Sequence, residues 1–403
     1  MTVYVIGAGV SGLAAALTAA QAGAGVTLIE ATPQAGGRCR SLDDATLGRR
    51  IDNGSHVLLG ANPAAFAYLE AIGARETVMR LDLDGYRFTD LETGERWSYE
   101  AGRSMPGVRP WQFLRALSLF LPGTDRTVAQ ALGSGLLMRR FWAPMTYAIL
   151  NTPPQQASAR MLRQTLTEIL RHGRRGLQMH MARDGLSESF VDPALARLVQ
   201  RGARTAFGQR VVGLTIEQGR TTMLSLGDQS LRLTDGDAVI VATGPKAAGD
   251  LIPDLTTPQG DNAIVNGHFL VKEVGEADGR PGAMGLVGAT AQWLFWREGI
   301  VSATVSAAND LAAQDNHAIA AILWRDITQA LDLGDQPLPL FRIVKEKRAT
   351  FAQTCANERR RPPSATSLAN LFVAGDWTDT GLPASIEGAI RSGNRAAQLA
   401  LAG

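Results

Sequence analysis

Apolar positions change their period twice within residues 1–30. Val3 to Ile6 is a short run rich in β-branched side chains and predicts a strand. Leu13 to Gln21 is alanine-rich and predicts a helix, ended by Gly23 or Gly25; Val26 to Ile29 then predicts a second strand, closed by Glu30. Similar apolar runs recur at Ala238 to Val241, before Ala242-Thr243-Gly244-Pro245, and at Leu371 to Ala374, before Gly375-Asp376. Ser385 to Leu399 has helical spacing, with Ile386, Ala389, Ile390, Ala397 and Leu401 apolar. Trp293, Phe295 and Trp296 fall on a predicted strand whose alternate side chains can line a cavity. Trp111 to Leu121 suits a short amphipathic helix with Arg109 and Arg115 at its margins. Such a stripe is more often domain core; the other reading is an interfacial membrane segment or a substrate channel. Val57 to Leu59 is preceded by Asp52, Asn53, Gly54, Ser55 and His56, more polar chemistry than a buried strand usually begins with.

The first strand–helix–strand unit carries chemistry. Gly7-Ala8-Gly9-Val10-Ser11-Gly12 is G-x-G-x-x-G between strand and helix, with Glu30 at the position where the dinucleotide fingerprint places its acid. Gly7 permits the tight turn, Gly9 lets the backbone approach a pyrophosphate, and Gly12 allows the helix to pack closely on the strand. Val10 and Ser11 open the helix, whose free N–H groups and positive end favour phosphates. Glu30, followed by Ala31, can accept hydrogen bonds from both ribose hydroxyls and would repel a 2′-phosphate, which disfavours NADP. Gly36-Gly37-Arg38 follows shortly after, a feature of FAD-binding proteins of the glutathione-reductase-like group. The two glycines let the backbone cross close to the cofactor, and the guanidinium can pair with pyrophosphate or flavin oxygens.

Composition narrows the rest. The chain has 403 residues, enough for two domains; 45% are apolar and 19% charged, and the formal charge of +2 gives no reason to expect a nucleic acid partner. Arginine clusters at Arg171–Arg175 and Arg359–Arg361 read more readily as solvated surface or linker than as contacts for anionic lipid. Cys39 and Cys355 give neither a disulfide framework nor metal-ligand spacing, and no metal site is expected. No stretch approaches the ~20 apolar residues a membrane span requires. The apolar start lacks the basic n-region of a signal peptide. The expected location is cytoplasmic, with a peripheral seat on the inner face of the cytoplasmic membrane as the variant of that reading.

Two later segments complete the expected cofactor site. The run ending at Thr243 and Gly244 is of the kind that closes an FAD domain, and "GARTAFGQRVVGLTIE" resembles the strand that lays Val211 or Val212 against the adenine. Gly375 would let the main chain approach the ribityl–phosphate arm, and Asp376 is placed to accept from a ribityl hydroxyl. The helix starting around Ala384, Ser385 and Ile386 would aim its free N–H groups at the flavin pyrimidine oxygen.

With G-x-G-x-x-G and Glu30, Gly36-Gly37-Arg38, the central strand and "AGDW…EGA…SG" in chain order, the sequence resembles the FAD-dependent amine oxidase and phytoene desaturase superfamily. "IDNGSHVLLGAN", "FWAPMTYAILNTPPQQAS", "AIVNGHFLV", "FRIVKEKRATFAQT" and "GDWTDTGLPASIEGAIRSG" resemble one subgroup, the hydroxysqualene dehydroxylases. Cys355 departs from that pattern, where proline is expected after "FAQT" in what reads as a loop. The resemblance implies an α/β fold, a Rossmann-like FAD-binding domain interleaved with an α+β substrate domain. The expected division gives residues 1–72, 201–260 and 364–403 to FAD. Residues 73–200, mostly helical, and 261–363, a mixed sheet, go to the substrate.

The resemblance also implies that reduced flavin removes the allylic hydroxyl of hydroxysqualene, a long-chain isoprenoid, to give squalene for hopanoid synthesis; the electron donor is left open. Loss of the hydroxyl calls for a general acid and for surroundings that stabilise transient positive charge. His56 is the first candidate, Asp52 can orient it or raise its pKa, and His268 is the second. Asp52 and Asn53 can instead cap the turn and, with Gly54 and Ser55, bind flavin. The rival readings are an oxidative carotenoid or phytoene desaturase, an amine oxidase, and a flavin-holding scaffold without chemistry. An amine oxidase would commonly hold a lysine–water pair beside flavin N5, and none of Lys246, Lys272, Lys345 and Lys347 stands in a stretch expected there.

Overall fold

The computed structural model describes residues 1–81, 85–99, 105–121, 125–271, 274 and 281–403. At its centre a five-stranded parallel sheet runs in the order Arg204–Ala206, Gly25–Ile29, Thr2–Ile6, Ala238–Val241, Leu371–Val373. Neighbours are in register through Ile6 opposite both Ile29 and Val241, and through Val239 opposite Leu371. A parallel sheet is covered on both faces, so Ala238–Val241 is buried at every position rather than alternately. Helix Val10–Gln21 lies on one face, and its many alanines let helix Ile386–Ala402 close against it. Gly393 marks the crossing, because a Cβ there would lie 2.1 Å from the Ser11 carbonyl oxygen.

A second, seven-stranded sheet runs Phe341–Phe351, Asp261–Leu270, Ile300–Val305, Trp293–Arg297, Gly282–Val287, Tyr86–Asp90, Arg96–Tyr99. It is antiparallel except where Gly282–Val287 pairs parallel with Tyr86–Asp90. Helix Asn316–Ala330 packs one side, burying Ile319, Leu323 and Ile327 around Phe269 and Val301. Hairpin Ser41–Asp44/Arg49–Asp52 and the small sheet Val57–Leu59, Met179–Ala182, Val78–Arg80 join the two large sheets.

Several sequence expectations change in detail. The stretch "GARTAFGQRVVGLTIE" is not one strand: Arg204–Ala206 joins the parallel sheet, Val211 lies in the connection that follows, and Gly213–Glu217 starts a separate three-stranded sheet. The region expected to be mostly helical also carries strands at Val78–Arg80 and Met179–Ala182, which pair with each other far along the chain, and a hairpin Tyr86–Asp90/Arg96–Tyr99 that joins the large sheet through the distant Gly282–Val287. Cys355 opens the short helix Cys355–Arg359 instead of sitting in a loop, with Thr354 capping it from Asn357 N at 3.3 Å. The first helical turn is where proline is also well tolerated, which explains the pattern from which Cys355 departs. Trp111 to Leu121 does form a helix, Pro110–Phe120, but it is 3₁₀ throughout and splits the two readings of its stripe. Leu119 is buried, while Trp111, Leu114, Leu117, Phe120 and Leu121 are exposed.

Candidate active site

The glycine-rich turn behaves as its spacing requires. Gly7 has φ +106°, and a Cβ on it would lie 2.7 Å from the Ala242 carbonyl oxygen; one on Gly12 would lie 1.9 Å from the Gly7 oxygen. In front of Gly9 there is open space. Gly9 precedes helix Val10–Gln21 without a side-chain cap, so the helix presents N–H groups towards that space. Gly36 N donates to Ala8 O at 2.8 Å, which brings Gly36-Gly37 alongside Gly9. Glu30 stands at the end of its strand, accepting from Ala8 N at 2.8 Å and from Thr32 N at 2.9 Å. Those bonds fix the carboxylate while leaving lone pairs for a ribose.

Arg38 and Asp376 meet each other across the site at 2.7 Å, and Arg38 also donates to Ala349 O. Asp376 holds the Arg38 guanidinium more firmly protonated than usual. Gly375 N is bound by Ser392 Oγ at 3.0 Å, and the Thr243 carbonyl accepts from the Trp377 indole at 2.9 Å, with Gly244 exposed beyond it. The last helix is not wholly free at its start: Ser385 caps Gly388 N at 3.1 Å, and Ala384 N donates to Gln353 Oε1 at 2.9 Å. Ile386 is its first residue.

Beside this cradle lies a cavity of about 390 Å³, lined among others by Asp52, Ser55, His56, His268, Phe295 and Trp296. The three sequence candidates for catalysis therefore converge on one space. Strand Arg49–Asp52 delivers Asp52, and Asn53 is anchored by its N–H to Arg40 O at 2.9 Å and by Asn266 Nδ2 to its carbonyl at 3.3 Å. Gly54 faces Asn266 and the His56 ring, with 3.4 Å left for a Cβ on either side. Asp52 does not hydrogen-bond His56. Its Oδ1 accepts from Ser41 Oγ at 2.7 Å and from Leu186 N at 2.8 Å, and its Oδ2 lies 3.5 Å from Arg297.

His56 is half-buried, and burial pulls its pKa below the ordinary histidine value; Asp52 and Asp376 push the other way but are outweighed, with Arg38 adding to the depression. The expected net rise from Asp52 is thus reversed by desolvation. His268 sits deeper, 2% exposed, on strand Asp261–Leu270. Its Nδ1 meets Ser302 Oγ at 2.8 Å, and burial pulls its pKa to about 4. The Asp52 backbone carbonyl lies near enough to favour the protonated ring, yet Nε2 has no hydrogen-bond partner among the described residues. Both imidazoles are neutral at pH 7 in this setting.

Residues 10–401 match the family of flavin-containing amine oxidoreductases. The chain belongs to that family. Hydroxysqualene dehydroxylase of Rhodopseudomonas palustris is 39% identical over all of this chain and 98% of its own length, and that of Sinorhizobium fredii is 37% identical over 99% and 98%. A solved oxidoreductase from Methanosarcina mazei shares the fold with a TM-score of 0.77 at 15% identity, over 98% of this chain and 99% of its own. The cofactor of this flavin-containing oxidoreductase is FAD, and one feature of the cradle fits it directly. Ser11 Oγ, buried at the uncapped start of the helix, has no partner among the described residues; a pyrophosphate oxygen would satisfy it.

Sequence reasoning missed Arg297, which pairs with Asp52, and Ser302, which fixes His268. Both lie on strands of the seven-stranded sheet, and only the pairing of Phe295 with Ser302 brings them to the same cavity. The expected alternation is not what lines the cavity: Phe295 and Trp296 are successive residues on opposite faces of the strand, and Trp293, which shares the face of Phe295, packs into the core. Among the described residues no lysine lines the cavity: Lys246 is exposed and paired with Asp250, Lys345 donates to Gln314 O, and Lys347 is exposed; Lys272 lies outside the described residues.

Proposed function

We propose that this enzyme removes the allylic hydroxyl of hydroxysqualene reductively to give squalene. The observation that carries this reading beyond the relatives' names is the meeting of two imidazoles, a fixed carboxylate and an aromatic side chain, Phe295, in one cavity. When bound, reduced FAD supplies the hydride equivalent. The protein's own part is to hold the hydroxyl, protonate it as it leaves and stabilise the positive charge that develops on the allylic carbon.

His56 is the proton donor in this scheme, because it is the histidine less deeply buried at the cavity wall. Its depressed pKa makes the imidazolium scarce at neutral pH but a stronger acid when formed. Phe295, on the face of the sheet that also carries His268 and Ser302, offers its ring to the cationic carbon, and Asp52 offsets its charge through the cavity wall. Val57, Met181 and Ile300 supply apolar lining for an isoprenoid chain.

The test is anaerobic. Photoreduced holoenzyme is mixed with hydroxysqualene, and flavin absorbance and products are followed together. Reoxidation with stoichiometric squalene is expected, whereas no reoxidation by hydroxysqualene would overturn the assignment. His56→Gln should retain the flavin spectrum and lose roughly 10²–10⁴-fold in turnover. Full turnover in that variant would remove His56 from the donor role.

A further inference from the structure

The 3₁₀ helix Pro110–Phe120 presents an arrangement that the catalytic site does not use. A 3₁₀ helix has three residues per turn, so residues three apart eclipse one another, and runs of this length are uncommon. Trp111, Leu114, Leu117 and Phe120 therefore form one straight outward ridge, with exposures of 57, 64, 64 and 48%. At ~2.0 Å rise per residue the ridge is about 18 Å long. An α-helix would have wound the same four side chains around its axis. The adjoining ridge, Phe113, Ala116 and Leu119, turns inward onto the core that holds Phe141, Trp142, Trp293 and Phe295. The outward ridge is thus a continuous apolar surface backed by packed structure, of a kind that marks interaction sites.

Charge identifies the occupant. From residue 105 to 167 the sequence contains seven arginines and one carboxylate, Asp125. Asp125 is engaged by Arg359, and Arg139, Arg140 and Arg160 pair with carboxylates from other segments. Arg109 and Arg115, exposed beside the ridge, have no carboxylate partner among the described residues; the Arg109 guanidinium lies 4.9 Å from the Trp111 ring. A second copy docking through this face would bring four unpaired arginines together. A leaflet of anionic phospholipid offers phosphates to those arginines and acyl chains to the ridge.

We propose that this ridge seats the enzyme on an anionic bilayer surface, Trp111, Leu114, Leu117 and Phe120 entering the acyl boundary and Arg109 and Arg115 binding headgroup phosphates. The inference goes beyond the reaction assigned above and does not depend on which isoprenoid is turned over.

Flotation of the holoenzyme with vesicles of equal parts phosphatidylglycerol and phosphatidylcholine tests it. The wild-type protein should float with these vesicles. Leu114→Ser/Leu117→Ser should lower the partition coefficient by roughly tenfold or more, given the apolar area removed. It should keep its flavin absorbance and its turnover of detergent-dispersed substrate. Arg109→Gln/Arg115→Gln should weaken binding several-fold on the anionic vesicles and leave the weaker binding to pure phosphatidylcholine unchanged. Wild-type protein that does not float, or leucine variants that float as well as wild type, would overturn the proposal. So would a wild-type dimer that the leucine substitutions convert to monomer without changing flotation, since the ridge would then be a self-association surface.

Discussion

His268 makes the stability of the fold depend on pH in a way that can be isolated. It is almost fully buried, and its pKa falls from 6.5 to about 4 because burial penalises the charged ring. The folded state therefore keeps the ring neutral between those values, while the unfolded chain takes up a proton. Stability from this group is complete above pH 6.5 and is lost as pH falls towards 4. At pH 5 the loss is about 2 kcal/mol, and below pH 4 it levels off at about 3 kcal/mol. For a chain of this length the pH 5 figure corresponds to roughly 2–3 °C in Tm. The perturbation is His268→Gln, which can still bond Ser302 Oγ but does not titrate. Unfolding of the holoenzyme would be followed by circular dichroism and flavin fluorescence from pH 8 to pH 4.5. The wild-type minus variant difference in stability should shrink by about 2 kcal/mol between pH 7.5 and pH 5. Parallel curves would refute the reasoning, because they would mean that His268 is either charged in the fold or solvated.

Three further outcomes follow from the same geometry. Gly12→Ala places a Cβ 1.9 Å from the Gly7 oxygen, so the variant should lose its yellow colour or fail to fold; normal flavin content on purification would contradict the close approach of helix to turn. Asp52→Asn removes the negative charge that supports protonation of both histidines, so the alkaline limb of the kcat/KM profile, where the proton on His56 is lost, should move to lower pH, and an unchanged or raised limb would exclude that coupling. Glu387, buried, accepts from Ala64 N at 3.2 Å and Ala65 N at 2.8 Å at the start of helix Pro63–Ala71, and from Arg391 at 2.7 Å. Glu387→Gln should destabilise by roughly 2 kcal/mol in urea unfolding, and a change near zero would show that cap to be dispensable.

What could be read from the sequence was local. Gly7, Gly9, Gly12 and Glu30 lie in one strand–turn–helix–strand unit whose geometry is dictated within itself, and the last helix announced itself by spacing and by Ser385. The cavity depends on pairings that sequence order hides. Asp52 ends a strand of the short hairpin beside Ser41, whereas His268 and Ser302 face one another across two strands of another sheet. Arg297 reaches Asp52 from the strand paired with that of Ser302. The sign of the His56 shift was also out of reach, since an acid four residues away is visible in the sequence and desolvation is not. For the Trp111–Leu121 stripe, spacing alone could not choose between core and surface. The answer turned on whether the backbone repeats every 3.6 residues or every 3.

The order of strands in the parallel sheet has a consequence for biosynthesis. The first strand, Thr2–Ile6, is flanked by Gly25–Ile29 and by Ala238–Val241, and the sheet is finished by Leu371–Val373. The helix that covers Val10–Gln21 spans Ile386–Ala402. A nascent chain therefore carries its nucleotide-binding turn out of the ribosome long before the segments that bury it are translated. Until then the alanine face of Val10–Gln21 has no cover, and Asp376 is missing from Arg38. Tight capture of flavin is thus deferred until Leu371–Val373 and Ile386–Ala402 have been made, and a ribosome stalled before residue 371 would hold a chain with the fingerprint but without the finished site.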